Sequence, residues 1–176
     1  MIVLLVNTSI DPVSGGGTAT RTVQLARSIQ KDFEVECIIL TTDQGLDETS
    51  KQQYSDLKTV ILPCLNDRFY IPYFSWAKLK ELVEKIDVIH LMSHWSIINA
   101  IVYLLARQLD KPYTFCPAGT LHIFGRSALL KNLYNLFIGK SLIKNASHCI
   151  AITNLEKKDF LNFNVQEELI SVIPNG

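Results

Sequence analysis

The feature of this sequence that most constrains its fold is an alternation between short apolar runs and segments with helical periodicity. Strands that are apolar throughout and are separated by helices are typical of a parallel sheet covered on both faces. We therefore predict a doubly wound, mainly parallel, Rossmann-like α/β domain. Its predicted strands are Ile2–Val6, Val35–Leu40, Val60–Leu62, Val88–Met92, Tyr113–Cys116, Cys149–Ile152 and Leu169–Ile173.

The segments between these runs carry the helix predictions. Apolar residues at helical spacing predict helices from about Thr18, from about Ser75, through Ile97–Leu109, near Ser127–Lys144 and after Thr153. The polar stretch from Thr41 to Asp56 shows no periodicity. Thr153-Asn154-Leu155-Glu156 has the spacing of a capping box, in which Thr and Glu satisfy each other's unpaired amides.

Composition excludes several classes of protein. With 48% hydrophobic and 19% charged residues, the 176-residue chain is not expected to be disordered. Its 17 basic residues balance its 17 acidic ones, so no net charge attracts nucleic acid or anionic lipid. The four cysteines are far apart, which favours buried thiols in a reducing, cytoplasmic compartment, and neither they nor the histidines have metal-site spacing.

A glycine cluster follows the first predicted strand, in the segment SGGGTATR at Ser14–Arg21. Glycines at the start of a helix let a ligand approach the backbone, whose unpaired amides attract a phosphate or sugar oxygen. Thr20 replaces the third glycine of GxGxxG, and GKS or GKT is absent, so two familiar nucleotide loops are excluded. A flexible surface loop is the alternative. The predicted substrate-binding residues are Gly15, Gly16, Gly17 and Thr18.

A second glycine turn, Pro117–Leu121, follows the fifth strand and is expected to face the first across the crevice at the carboxyl ends of the strands. Gly119 and Thr120 are its predicted substrate-binding residues. Arg126, just beyond, is a candidate partner for an anion. Asp43, after the second strand, is placed like the ribose-binding carboxylate of a dehydrogenase, although a loop aspartate is more often a turn cap.

Position separates the four histidines. His90 lies inside a strand and is predicted to be a buried, hydrogen-bonded core residue. His148 precedes its strand, at the edge opposite the expected site, and is predicted to be structural. His94 and His122 follow strand ends and are the catalytic candidates, with a plain surface role open for each.

Four segments together resemble the retaining glycosyltransferases of family 4, which have the two-domain GT-B fold. In order, they are SGGGTATR, HLMSHWS, KPYTFCPAGTL and the closing VIPNG. In that family, I-P-N-G typically ends the amino-terminal domain. The resemblance implies that residues 1–176 are the amino-terminal, acceptor-side domain of a GT-B fold, and that the nucleotide-sugar domain is absent from this chain.

The resemblance also implies an activity. The full-length enzyme would move a sugar from a nucleotide-sugar donor to a glycan or lipid-linked acceptor, as in polysaccharide biosynthesis, without a cofactor. It would associate with membranes at most peripherally, and the isolated chain would be inactive. Retention would use a donor phosphate oxygen to accept the acceptor proton.

The sequence departs from the family at two positions. Ala118 and Met92 stand where histidines are common, so the catalytic residues are left undetermined. Two other classes remain open, an NAD-dependent oxidoreductase domain, which Asp43 would support, and a non-catalytic sugar- or nucleotide-binding module.

Overall fold

The computed structural model describes residues 1–66, 68–121 and 127–174. Its centre is a seven-stranded sheet, in which every adjacent pair of strands is parallel. This confirms the predicted α/β class and all seven predicted strands. The strands are β1 (Ile2–Val6), β2 (Glu36–Thr42), β3 (Lys58–Leu62), β4 (Cys64–Asn66), β5 (Ile71–Pro72), β6 (Val88–Met92), β7 (Tyr113–Cys116), β8 (His148–Ala151) and β9 (Ile170–Val172). The sheet order is β3-β2-β1-β6-β7-β8-β9, and β4 and β5 form a separate antiparallel hairpin.

Helices connect the strands, and all of those described except α2 lie where periodicity predicted them. They are α1 (Gly16–Phe33), α2 (Glu48–Gln52), α3 (Trp76–Glu84), α4 (Ile97–Gln108), α5 (Ala128–Tyr134), α6 (Lys140–Lys144) and α7 (Asn154–Asn162). A π-helical turn, Asn135–Gly139, joins α5 to α6, and a 3-10 turn, Glu167–Leu169, precedes β9. No helix among the described residues is long and apolar enough to cross a bilayer.

Two elements were not predicted, the helix α2 and the β4–β5 hairpin. None of the five residues of α2, all of them described, is buried, so this helix has no apolar stripe to detect. It is stabilised at its start instead, where the Asp47 carboxylate accepts a hydrogen bond of 2.6 Å from Ser50 N.

The apolar side chains of β1 alternate between two cores, one on each face of the sheet. Leu4 and Val6 pack with α3, α4, α6 and α7, whereas Val3 and Leu5 pack with α1. Helices therefore cover both faces, which is the doubly wound arrangement. Cys37, Cys116 and Cys149 are buried as free thiols, as their apolar surroundings predicted.

The position of β1 fixes where a ligand can enter. This strand pairs with β2 on one side and with β6 on the other, so the connections leave it in opposite directions. In open α/β sheets such a reversal opens a crevice at the carboxyl ends of the strands. The loops that follow β1 and β6 border this crevice.

Two neighbouring glycines of the first loop should respond differently to substitution. A Cβ on Gly15 would lie 2.6 Å from Ser9 O and 2.7 Å from the Ala19 Cβ, whereas a Cβ on Gly17 would have no described atom within 4 Å. We expect Gly15→Ala to lower the free energy of unfolding by about 1–3 kcal/mol. Gly17→Ala should leave it unchanged or raise it by up to about 1 kcal/mol. Denaturant unfolding of both variants checks this, and equal stability of the two would contradict it.

Candidate functional site

The loops at the carboxyl edge of the sheet are joined by side-chain hydrogen bonds into a continuous rim. Thr42 Oγ1 donates to Thr8 O over 2.6 Å, and Thr8 Oγ1 is hydrogen-bonded to Ser96 Oγ at 2.9 Å. His94 N donates to Thr120 Oγ1 over 3.0 Å. The loops after β1, β2, β6 and β7 are therefore held together at one edge of the sheet, where the sequence placed the site.

The first turn of α1 presents its amides without obstruction. Gly16 has a φ of +56°, in the left-handed region that favours glycine, and a Cβ on Gly16 or Gly17 would meet no described atom within 4 Å. The first-turn residues include no acid, and no described side chain caps the helix. Thr18 Oγ1 donates to Gly15 O over 2.8 Å. This helix end therefore offers unpaired N–H groups and the positive end of the helix dipole.

The loop before this helix is tightly hydrogen-bonded. The Asp11 carboxylate accepts bonds from Ser14 N at 2.7 Å and Ser14 Oγ at 2.9 Å, while Gly15 N donates to Asp11 O over 2.8 Å. Ser9 Oγ and Ser14 Oγ are 2.9 Å apart. These contacts weigh against the flexible-loop alternative.

Arg21, which sequence reasoning did not single out, brings a positive charge to this region. Burial, and after it the charge of Arg21, lower the pKa of His90 to about 4. Burial raises the pKa of Cys116 to about 11 and also raises that of Glu156, while Arg21 opposes both changes. Its Nη2 also donates to Ile173 O over 3.4 Å. The only signal in the sequence was its position one turn after the glycines.

A cavity of about 490 Å³ runs along the same helix. Its lining residues are Gly17, Thr20, Arg21, Gln24, Leu25, Ser28, Ile173 and Pro174. A larger cavity, about 600 Å³, lies beside β3 and α3 and is lined mainly by apolar residues. The first cavity adjoins a predicted site residue, so it is the better candidate for a polar ligand.

The loop after β7 turns through two left-handed residues, Ala118 with a φ of +52° and Gly119 with a φ of +85°. Thr120 Oγ1 donates to Pro117 O over 2.5 Å and closes the turn. This places Gly119 and Thr120 on the rim, joined through His94 N to the loop after β6.

Glu156 corrects one sequence prediction and adds a residue that was missed. The capping box forms only in part, because Thr153 Oγ1 accepts from Glu156 N at 3.1 Å but the Glu156 carboxylate does not return to Thr153 N. The carboxylate instead accepts from Gly119 N at 2.5 Å and from Ile152 N at 2.7 Å. The side chain is 3% exposed. Glu156 therefore fastens the β7 loop to the start of α7.

His94, a catalytic candidate, has no exposed surface. Its ring packs against Trp95, Phe115 and Tyr134, and Nε2 is hydrogen-bonded to Asn135 Oδ1 at 2.8 Å. Burial lowers its pKa to about 4, although the bond to Asn135 opposes this. The surface role left open for His94 is wrong, because its side chain is fully buried.

The remaining candidates divide clearly. His90 is buried, with Nδ1 hydrogen-bonded to Thr114 Oγ1 at 2.7 Å, which confirms the core prediction. His148 lies at the amino end of β8 and bonds to Ser171 Oγ. The Asp43 carboxylate accepts from Cys64 N over 2.8 Å and so ties the loop after β2 to the start of β4.

His122 and Arg126 lie outside the described residues. No group of described side chains is suited to hold a metal.

Comparison with known proteins identifies the family. The sequence profile of Glycosyltransferase Family 4 matches residues 15–176. No curated protein matches the sequence.

Solved structures with the same fold include Anabaena HepE in complex with UDP-glucose, at a TM-score of 0.69 and 17% identity, covering 100% of this chain and 44% of HepE. A glycosyltransferase from Rickettsia africae has a TM-score of 0.61 and 17% identity, covering 99% of this chain and 43% of its own. A putative UDP-N-acetylglucosamine 2-epimerase from Listeria monocytogenes has a TM-score of 0.63 and 14% identity, and the match covers 97% of this chain and 43% of the epimerase. The chain thus spans less than half the length of each, and the likeness establishes the fold.

Replacement of Glu156 should loosen the β7 loop. Gln keeps one acceptor oxygen but turns an NH₂ group toward a backbone donor, so we expect Glu156→Gln to cost about 1–3 kcal/mol of unfolding free energy. The Gly119 amide should also exchange with solvent faster. The control is Glu167→Gln, which removes an exposed ion pair with Lys157 and should cost at most about 1 kcal/mol. Unchanged exchange at Gly119 in Glu156→Gln would contradict the anchoring role.

Two buried histidines should make the fold sensitive to acid. The pKa of His90 and that of His94 are both about 4 in the folded state, below the ordinary 6.5. Between these values the unfolded chain binds more protons, so stability present above about pH 6.5 is lost as the pH falls toward 4. Each ring contributes a slope of up to about 1.4 kcal/mol per pH unit. Denaturant unfolding across this range should give a shallower slope for His90→Asn than for the wild type, and equal slopes would contradict the prediction.

Proposed function

This chain belongs to Glycosyltransferase Family 4, and we propose that it is the amino-terminal, acceptor-side domain of a retaining glycosyltransferase. The full-length enzyme moves a sugar from a nucleotide-sugar donor to a glycan or lipid-linked acceptor. The fold alone does not select this reaction, because structures of UDP-N-acetylglucosamine 2-epimerases share it. Membership of the family is what favours transfer.

The observation that carries the proposal is the unobstructed first turn of α1. Gly16 and Gly17 begin α1, directly after the loop that follows β1 at the reversal of the sheet, and no described atom would contact a Cβ on either. Amides and dipole at this position suit a phosphate or sugar oxygen. The charge of Arg21, one turn later, has the sign needed by a diphosphate. We assign donor phosphate or acceptor binding to Gly15–Thr18 and the opposite wall to Gly119 and Thr120.

A second domain is part of the proposal. The chain spans 44% of HepE, a protein solved with UDP-glucose, which leaves room for another domain of similar size. We assign most of the nucleotide binding to that carboxyl-terminal domain. Residues 1–176 alone are then inactive in transfer, because the donor is not held.

The proposed chemistry needs no nucleophile from this chain. The acceptor oxygen bonds to the sugar C1 on the face from which the C1–O(phosphate) bond breaks. The acceptor proton passes to an oxygen of the departing diphosphate, whose charge is stabilised by preorganised amides and Arg21. Consistent with this, the Glu156 carboxylate is 3% exposed and is occupied by two backbone amides.

The proposed role of His94 is to position the loops rather than to touch the substrate. Its backbone amide holds Thr120, and its ring holds Asn135. His122 and Arg126 remain candidates for direct contact, as predicted from the sequence. The oxidoreductase alternative has less support, because the family match favours glycosyl transfer and the Asp43 carboxylate already accepts from Cys64 N.

The test is Gly17→Ala in the full-length enzyme. An added methyl holds a ligand away from the loop amides, and loss of one such donor typically lowers the rate about a hundred- to thousandfold. Because the position is open, stability should not fall. The matched control is Val13→Ala, a 92% exposed residue of the same loop.

Melting temperature and initial rate, measured for both variants with one donor and one acceptor, distinguish the outcomes. If the Gly17→Ala enzyme keeps the wild-type rate, the loop only connects β1 to α1 and the proposed ligand site is wrong. A full-length protein that binds nucleotide sugar but transfers to no acceptor is the non-catalytic module.

A further inference from the structure

The outer side of α5 and the following π-helical turn is apolar, although it faces solvent. Five large side chains there form an apolar ridge: Leu129 (72% exposed), Leu130 (52%), Leu133 (40%), Leu136 (68%) and Phe137 (74%). Leu133 is four residues from Leu129 and three from Leu130, spacings that share one face of α5, and Leu136 and Phe137 continue the exposed apolar run in the π-helical turn. In a helix of a globular protein such a stripe normally faces the core.

The opposite side of the same segment makes the contacts with the domain. The Lys131 ammonium lies 5.4 Å from the centre of the Trp95 ring, Tyr134 packs edge-on against His94, and Asn135 bonds to His94. None of the seven residues of α5, all of them described, is buried. The helix is thus attached by its polar and aromatic side and exposes its apolar side, which marks a surface for a partner.

Local charge identifies the chemistry of that partner. Although the whole chain has equal numbers of acidic and basic residues, the sequence between Asp110 and Glu156 contains no acidic residue. The basic residues of this stretch are Lys111, Arg126, Lys131, Lys140 and Lys144. Lys140 and Lys144 are exposed and follow the apolar ridge directly. Apolar side chains bordered by lysines match the acyl and headgroup regions of an anionic bilayer.

We propose that the apolar ridge and Lys140 and Lys144 dock this protein on an anionic lipid bilayer, with α5 lying in the interface plane. A second copy of the chain fits less well, because symmetric pairing of this surface would bring like-charged lysines together. The ridge adjoins the rim, since Tyr134 Oη donates to Ser96 O over 3.4 Å. An acceptor carried by the bilayer would therefore lie beside the crevice. This last step rests on the proposed function, whereas docking itself requires no catalysis.

The experiment is co-sedimentation of the full-length protein with vesicles, without donor or acceptor. The vesicles are phosphatidylcholine alone or with about 30% phosphatidylglycerol. We expect binding to the anionic vesicles that weakens at high salt. Leu136→Ser/Phe137→Ser should bind at least about tenfold more weakly. Lys140→Gln/Lys144→Gln should lose the preference for phosphatidylglycerol.

The matched control is Phe33→Ser/Leu155→Ser, which removes residues of similar exposure, 73% and 65%, on other helices. It should bind as the wild type does. Failure of the wild type to bind either vesicle, equal binding to both, or equal loss in the control would each overturn the proposal. A concentration-dependent dimer that Leu136→Ser/Phe137→Ser abolishes would assign the ridge to a second copy instead. A transfer assay with a water-soluble acceptor reports separately on the proposed function.

Discussion

The hydrogen bonding of β1 to a parallel strand on each side is the constraint on which the rest of the structure depends. Val6, at its carboxyl end, is in register with Leu40 of β2 and Leu91 of β6. The strands β2 and β6 end within two residues of that register position, so the loops that follow all three strands leave the sheet at nearly the same level. The rim, the first turn of α1 and the crevice are consequences of this shared level, since each is built on a loop that starts there.

Small polar residues, rather than charged pairs, hold these loops together. The hydroxyls of Thr42 and Thr120 satisfy backbone groups where the strands end, and those of Thr8 and Ser96 bond to each other. Gly139 lets the π-helical turn pack closely against the His94 ring, because a Cβ at this position would lie 3.0 Å from the His94 Cε1. The arrangement fixes loop positions while leaving the amides of α1 unobstructed.

The strands and helices that could be predicted from the sequence are those whose apolar side chains are buried in the core. Runs such as Ile2–Val6 and Tyr113–Cys116 are apolar because both faces of the sheet are covered, so composition alone reveals them. The helix α2 was missed because capping by Asp47 stabilises it without an apolar face. The glycine loops were predicted from their place after strands, which the fold confirms, whereas their contacts with ligand remain predictions.

The roles of site residues that contact distant parts of the chain could not be predicted from local sequence patterns. Glu156 has the spacing of a capping box, yet its carboxylate bonds to Gly119, whose position depends on tertiary structure. Arg21 and His94 show the same limit, because which way each side chain points is decided by packing of α1 and of the π-helical turn. Arg21 has a further consequence. Burial and then the charge of Arg21 lower the pKa of His90, and an anion that neutralises Arg21 removes the second influence. An anion bound at Arg21 would therefore raise the pKa of His90, and the affinity for such an anion would increase as the pH falls toward about 4.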